Sequence, residues 1–496
     1  MTASDKSPLP NSLYRASQVR AMDRYAIEHL GIPGSELMLR AASAAFEILR
    51  ERWPAARTVS VLCGSGNNGG DGYVLARLAR QAGLDVRAYP AADPTGLHGD
   101  ALTAFHAYRD AEGPVLDFIP EGFEGAAVLV DGLLGTGLDR PVSGLYEQII
   151  AAVNRFRGKV LALDIPSGLN ADTGCVMGAA VKAEVTVTFI GLKQGLFTGE
   201  GPECCGEVMF ADLDTPREVQ GCEETSARLL PPPPLDLLPR RRTAHKGHFG
   251  HVLIIGGETG YTGAARLAGE AALRAGAGLV SVATRSSHAA FLNEGRPELM
   301  CRGVEAPVDL RPLLSNASIV AVGPGLGQSA WARELLAEAL ASGLPLVADA
   351  DALNLIARNP MKRSQWVLTP HPGEAARLLG VETSAVQTDR FAAIARLQQR
   401  YGGTVILKGA GTLVLSESGT PAICRQGNPG MASGGMGDVL CGVIAGLAAQ
   451  GLSLGPAAEL GVVAHAAAAD RAAADSGERG LLASDLMPHL RRLVNP

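Results

Sequence analysis

Aromatic residues make up only 4% of this 496-residue chain, and neither sign of charge prevails: 44 Lys and Arg stand against 50 Asp and Glu, a net of −6. Without a basic excess the chain is not expected to bind nucleic acid, which would call for a Lys- and Arg-rich face. The eight cysteines, at 63, 175, 204, 205, 222, 301, 424 and 441, form no C-x-x-C pair and no zinc-type spacing. They read as reduced thiols of a cytoplasmic protein. The first eighteen residues hold no apolar h-region, so no secretory signal is expected there. One stretch without charge, 439–458, reaches membrane-span length, but Gly442, Gly446, Gln450, Gly451, Gly455 and Pro456 interrupt it. It predicts two buried helices with a turn over 451–456, and no membrane partner.

What is present is a repeated alternation. Short apolar runs alternate with helical patterns: TVSVLC, DVRAYP, AAVLVDG, KVLALDI, VTVTFIG and EVMFADL, then HVLIIGG, LVSVAT, SIVAVGPG, PLVADAD, WVLTPH and TVILKG. Such runs predict parallel strands covered on both faces, hence α/β architecture. Between the two sets, Pro231, Pro232, Pro233 and Pro234 favour polyproline II. A plain spacer is preferred there over a ligand for an SH3-type groove. The expected division is an N-terminal domain 1–225, a linker 226–240 and a C-terminal domain 241–496. Homo-oligomerisation is left open.

The first candidate site begins at Gly64, Gly66 and Gly69, a G-x-G-x-x-G after an apolar run. A dinucleotide loop uses such glycines to bring backbone close to a pyrophosphate. Here Asp71 falls where the helix is expected to begin, and a carboxylate there would repel a phosphate. No Lys-Ser/Thr pair follows, so a Walker loop is excluded. Asn67, Asn68 and Asp71 instead offer oxygens and amides to a sugar, an amide or a hard cation; a simple strand-to-helix turn is the plain alternative. Two more aspartates follow apolar runs and open Gly-rich loops: Asp131 in DGLLGTGLDRPVSG and Asp164 in DIPSGLNADTG. Ligands of doubly wound sheets sit at the carboxyl ends of strands, so three such loops suggest one site. Lys193, at the end of VTVTFIGL, would form a proton-moving couple with Asp164 if the two meet; otherwise it is a solvated strand end.

GSGNNGGDG, DGLLGTGLDRPVSG, ALDIPSGLNADTG and TFIGLKQGL resemble, in order and spacing, the NAD(P)H-hydrate epimerases, over roughly residues 12–215. The resemblance implies a Rossmann-like fold acting on NADH hydrate or NADPH hydrate, with interconversion of the R and S epimers at C6 of the ring. It implies substrate contacts at Asn67, Asn68, Gly69, Gly70 and Asp71, along Gly135, Thr136, Gly137, Leu138, Asp139, Arg140 and Pro141, and at Tyr146. Asn68, Asp131 and Ser167 resemble potassium ligands. Asp164 resembles a residue that touches the reacting substrate, with Lys193 nearby. C6 carries a hydroxyl and the ring nitrogen, so breaking either bond and re-forming it inverts the centre. That chemistry needs an acid/base group, not a hydride acceptor.

The second candidate site is NPGMASGGMGDVLCG, 428–442. Gly434, Gly435 and Gly437 precede an apolar helix, whose first N–H groups would form a nest for a transferring phosphoryl group. Asp438 beside it could take a proton from an attacking hydroxyl; a turn with an aspartate cap is the plain alternative. TVILKGAGT, 404–412, adds a second Gly-rich strand end with Lys408. GGxGD resembles the ribokinase-like kinases. With HKGHFGHVLIIGG, GYTGAARLAGEAALRAGAGLV, VGPGLG, ADADALN and TPHPGEAARLLG, the second half resembles the NAD(P)H-hydrate dehydratases over about 240–492.

That resemblance implies phosphorylation of the S-hydrate hydroxyl by ADP or ATP, with Mg2+, and loss of phosphate to restore NADH or NADPH. It implies hydrate contacts at Ala264, Gly325, His371 and Asp438. Adenine-nucleotide contacts would come from Lys408, Gly409, Ala410, Gly411, Thr412 and Gly437. Many relatives carry serine at position 436; a nest made of backbone N–H groups does not require it. His245, His248 and His251 are spaced by threes, but Gly247 and Gly250 oppose the helix that would gather them, so no metal is expected there. The expected protein is a bifunctional cofactor-repair enzyme, with ADP favoured over ATP. The rival readings are a small-alcohol or vitamin-precursor kinase and a nucleotide-sensing scaffold module.

Overall fold

The computed structural model describes residues 9–119, 123, 125–417 and 419–495. The chain forms two compact units, Met1–Arg228 and Leu229–Pro496.

The N-terminal unit is built on six parallel strands in the order Asp85–Pro90, Thr58–Cys63, Val128–Gly132, Lys159–Leu163, Val185–Phe189, Glu207–Ala211. Val128–Gly132 and Val185–Phe189 are buried at every position. Apolar and β-branched runs of this length, covered by helices on both sides, form central parallel strands. The order reverses between Thr58–Cys63 and Val128–Gly132, which makes their carboxyl ends the crevice of a doubly wound sheet.

Among the described residues the C-terminal unit carries nine strands in the order Met300–Gly303, Leu279–Thr284, His251–Ile255, Ile319–Val322, Leu346–Ala348, Trp366–Leu368, Thr404–Leu407, Thr412–Leu415, Ala422–Cys424. The first seven are parallel and the last two antiparallel. The order reverses between His251–Ile255 and Ile319–Val322.

Two local features differ from the sequence expectations. The uncharged stretch breaks at 450–453, between the helices Met436–Ala449 and Leu454–Ser476, rather than over 451–456. Gly455 and Pro456 fall in the first turn of the second helix, where proline costs no hydrogen bond. Among the described residues no helix is long and apolar enough to cross a membrane. Within 226–240, Ala227–Leu229 is a strand, and Leu230 and Leu235 are buried in the C-terminal core while three of the four prolines between them are exposed. The leucines anchor a segment that composition alone presents as a spacer.

A fragment beginning at residue 229 is therefore expected to be more stable than one beginning at 241. Leu230 and Leu235 each contribute about 1.5–3 kcal/mol by burial. Denaturant titration of the two fragments checks this; equal midpoints would refute it.

Candidate active sites

In the N-terminal unit, Gly64 and Gly69 let two loops meet. A Cβ on Gly64 would lie 1.7 Å from the Leu133 carbonyl oxygen, and one on Gly69 2.1 Å from the Gly64 carbonyl oxygen. The two glycines thus serve loop packing. The helix starts at Asn67, so Asp71 lies one turn inside it rather than at its first residue. Asn67, Asn68, Asp71, the loop 135–140, Asp164 and Lys193 line one cavity of about 500 Å³. Gly69, Gly70, Pro141 and Tyr146 are not among its lining residues. Gly70 packs on Met38 and Ala101, and Tyr146 against the apolar cluster around Ile149 and Val153.

Lys193 does not end the strand Val185–Phe189. Ile190 takes a left-handed backbone (φ 62°) and turns the chain into the short strand Leu192–Lys193. This aims the fully buried ammonium back at the sheet end. There Lys193 Nζ donates to Asp164 Oδ1, to Thr188 Oγ1 at 3.0 Å and to the Phe189 carbonyl at 3.1 Å. Asp164 itself sits at φ 64°, a strained conformation for a residue with a side chain. Burial, with Asp164 and Asp23 nearby, holds the Asp71 carboxyl well above the usual carboxylate range, against the pull of Lys193.

Asp131 is fully buried. It accepts from Ser167 N at 2.8 Å, Ser167 Oγ at 2.6 Å and Leu133 N at 3.2 Å. Burial still pushes it up to about 6, despite those donors. Asn68 donates Nδ2 to the Leu134 carbonyl at 3.1 Å, but its buried Oδ1 has no partner among the described residues. A buried acceptor left alone near an incompletely compensated carboxylate suits a hard cation with oxygen ligands.

In the C-terminal unit the helix Met436–Ala449 begins after Gly435, whose left-handed backbone (φ 91°) aims the chain into it. Met436 packs into the core, so position 436 presents no side chain to the nest. Asp438, third in the helix, is pushed up to about 7 by burial and by Asp349, with Lys408 opposing. Asp349, at the carboxyl end of Leu346–Ala348, is buried; its Oδ1 accepts from Lys408 Nζ at 2.8 Å and Thr369 Oγ1 at 2.7 Å. Lys408 Nζ also lies 3.8 Å from Glu374 Oε2. Burial would lower Lys408, but Asp349 and Glu374 hold it above its ordinary value. A Cβ on Gly437 would stand 3.3 Å from both Asp349 Oδ2 and Lys408 Nζ.

The turn 408–412 joins two antiparallel strands. Thr412 Oγ1 bonds to the Gly409 carbonyl at 2.8 Å, and the buried Arg390 guanidinium supports the turn from Leu407 O at 3.1 Å and Lys408 O at 3.3 Å. Gly409, Ala410 and Gly411 lie in this turn. His371 caps the helix Pro372–Leu379, accepting from Gly373 N at 3.0 Å, with Nε2 3.5 Å from Glu374 Oε1. Burial, then Lys408 and Arg377, lower its pKa. Gly325 and Ala264 are neighbours: a Cβ on Gly325 would meet Ala264 Cβ at 3.2 Å. Of the three spaced histidines, His245 and His248 stack on each other, whereas His251 is held by Asn316 O and Ser281 Oγ.

Sequence reasoning missed Arg20 and Asp23 in the first cavity, and Asp349, Glu374 and Arg390 in the second site. For Asp349 the signal existed, since it follows an apolar strand as Asp131 and Asp164 do. Glu374 stands in the motif TPHPGEAARLLG, three residues after His371; for Arg20, Asp23 and Arg390 no local motif marks them.

Two doubly wound α/β units, each gathering a carboxylate–lysine pair and a Gly-rich loop at its strand ends, define a two-site enzyme acting on polar, nucleotide-sized ligands. The family described as NAD(P)H-hydrate dehydratase matches residues 252–492, and that described as YjeF-related protein N-terminus matches residues 34–195. The bifunctional NAD(P)H-hydrate repair enzyme Nnr of Coxiella burnetii is 53% identical over 98% of this chain and 99% of its own length. That of Escherichia coli is 46% identical over 98% of this chain and 95% of its own length. A crystal structure of the ADP/ATP-dependent NAD(P)H-hydrate dehydratase of Bacillus subtilis, co-crystallised with ATP/Mg2+, is 28% identical. It covers 52% of this chain and 93% of that one, with a TM-score of 0.46. This chain belongs to the bifunctional NAD(P)H-hydrate repair enzyme family.

Proposed function

We propose that the N-terminal unit epimerises R- and S-hydrates of NADH and NADPH, and that the C-terminal unit dehydrates the S form at the expense of ADP or ATP. The full-length likeness to bifunctional repair enzymes carries this reading, and the two separate acid/base clusters support it. In the first site Asp164, oriented by Lys193, exchanges protons at C6. In the second, Asp438 takes the proton of the C6 hydroxyl as a phosphoryl group is transferred to it. The backbone N–H groups at 435–437 and Lys408 offset the charge that develops, and loss of phosphate then regenerates the ring. ADP is the proposed co-substrate, with Mg2+ shielding its phosphates, and the cytoplasm the proposed compartment.

Incubating a mixed hydrate preparation with ADP or ATP and separating all epimers by chromatography tests the reading. Both epimers should vanish, dihydronicotinamide absorbance should return, and AMP or ADP should appear with free phosphate. A stable phosphorylated product without that absorbance would instead establish a small-alcohol kinase.

The pH profile follows from Asp438. A base must be ionised, so kcat/KM for S-hydrate dehydration should fall as pH drops through about 7. A flat profile from pH 6 to 8, a range set by that value, would remove Asp438 from the role.

Potassium is the proposed ion of the epimerase site, held by Asn68, Asp131 and Ser167; when bound it would supply positive charge that anchors the substrate loops. KCl should raise the thermal midpoint of the N-terminal unit above that in LiCl at equal ionic strength, by about 2–4 °C for each kcal/mol of binding. Asp131→Ala should erase the difference. Equal midpoints in the two salts for the unaltered protein would exclude the ion.

A further inference from the structure

Asp164 and Lys193 account for one proton-transfer group, but epimerisation by C6–O cleavage needs two. The hydroxyl must be protonated to leave as water, and the water that adds to the other face must lose a proton. Asp164, oriented by Lys193, supplies one of them, and the second group has to come from elsewhere in the cavity.

The helix Ala16–Glu28 provides it. Val19, Asp23 and Ile27, spaced by four, present one face of that helix to the cavity. Arg20 ties the helix to the substrate loop, donating Nη1 to the Thr136 carbonyl at 2.9 Å. Asp23 is half-buried, and among the described residues burial and neighbouring charges, with no hydrogen bond, act on its carboxyl. The charged groups around it are Asp71 on the helix Asn67–Gln81, Asp164, Lys193 and Arg20, with Asp100, Asp139 and Arg140 also lining the cavity. We propose that Asp23 is the second acid/base residue of the epimerase site, working opposite Asp164 on the C6 hydroxyl and the incoming water.

In one direction the Asp23 carboxyl gives its proton to the C6 hydroxyl. The C6–O bond breaks, water departs, and the ring-nitrogen lone pair forms a C=N bond, leaving C6 planar and cationic. Water then adds to the other face and loses a proton to the Asp164 carboxylate. In the reverse direction the two carboxyls exchange roles, so no oxidant or further reactant is required. Burial pushes Asp23 up to about 6, with Asp164 adding to the rise and Lys193 and Arg20 opposing it, so both of its forms exist near neutrality.

This proposal rests on the epimerase reading above, and the experiment separates the two. Pure R-hydrate is incubated with the full chain without nucleotide, in water enriched in oxygen-18, and both epimers are followed. The unaltered protein should invert C6 and take up one solvent oxygen per inversion. Asp23→Asn should lower kcat about 10²- to 10⁴-fold with KM little changed, and abolish the limb of the pH profile near 6. Asp23→Glu, which keeps the carboxyl, should recover much of kcat.

Failure of the unaltered protein to epimerise would sink the domain reading and this proposal with it. Turnover with an unimpaired Asp23→Asn variant, an effect on KM alone, retention of the original C6 oxygen, or a folded Asp23→Glu variant as slow as Asp23→Asn would sink this proposal only.

Discussion

Asp438→Asn should slow dehydration of the S-hydrate by about 10²- to 10⁴-fold, the usual loss on removing a general base. Asparagine keeps the size and most polar contacts of aspartate but cannot accept the proton. Nucleotide affinity should change little, because the nest at 435–437 is backbone. Epimerisation should not change, because that site belongs to the other unit. Stability gives a second check. Burial and Asp349 raise Asp438 above its unfolded value, so ionising it costs the folded state, and the cost is present above about pH 7. Removing the charge should leave the protein at least as stable at pH 8, an alkaline point chosen from that value. Kinetics on pure S-hydrate with ADP, together with thermal unfolding, test both statements. Near wild-type dehydration would overturn the assignment of Asp438.

Asp164→Asn should strand the R-hydrate, with a loss of similar size in epimerisation, while S-hydrate dehydration continues. Here the stability consequence is opposite. Lys193 is fully buried, and among the described residues its only charged hydrogen-bond partner is Asp164; Thr188 and Phe189 supply neutral acceptors. Breaking a buried ion pair from one side costs about 3–5 kcal/mol, because the remaining charge cannot return to water. The variant should therefore unfold earlier in denaturant, and Asp164→Asn with Lys193→Met should recover much of that stability without recovering epimerisation. Rapid clearance of pure R-hydrate by Asp164→Asn would refute its role in the chemistry. An unchanged unfolding midpoint would refute the ion-pair argument.

The twelve apolar runs read from the sequence all contain strands, because period and burial are local properties of a chain covered by helices. The strands that went unread, Met300–Gly303, Thr412–Leu415 and Ala422–Cys424 among them, are short, and two of them pair antiparallel with each other. Leu230 and Leu235 show a related limit. Prolines label the segment as a spacer, and only the presence of a core to bury in turns its leucines into anchors.

By itself the sequence determined the α/β class, both Gly-rich loops, the aspartates at strand ends and Lys408 beside them. Those features follow from patterns within about ten residues, the reach of a strand and its turn. Only the tertiary structure decided which charges meet. Asp23 is remote in sequence from Asp164 and Lys193, and Asp349 is 59 residues from Lys408. Only the packing of the sheet and its helices brings these groups into low-dielectric surroundings, where a carboxylate's proton affinity depends on its neighbours. The proton affinities of the clustered carboxylates are therefore a property of the fold, carried by residues that look ordinary in the chain.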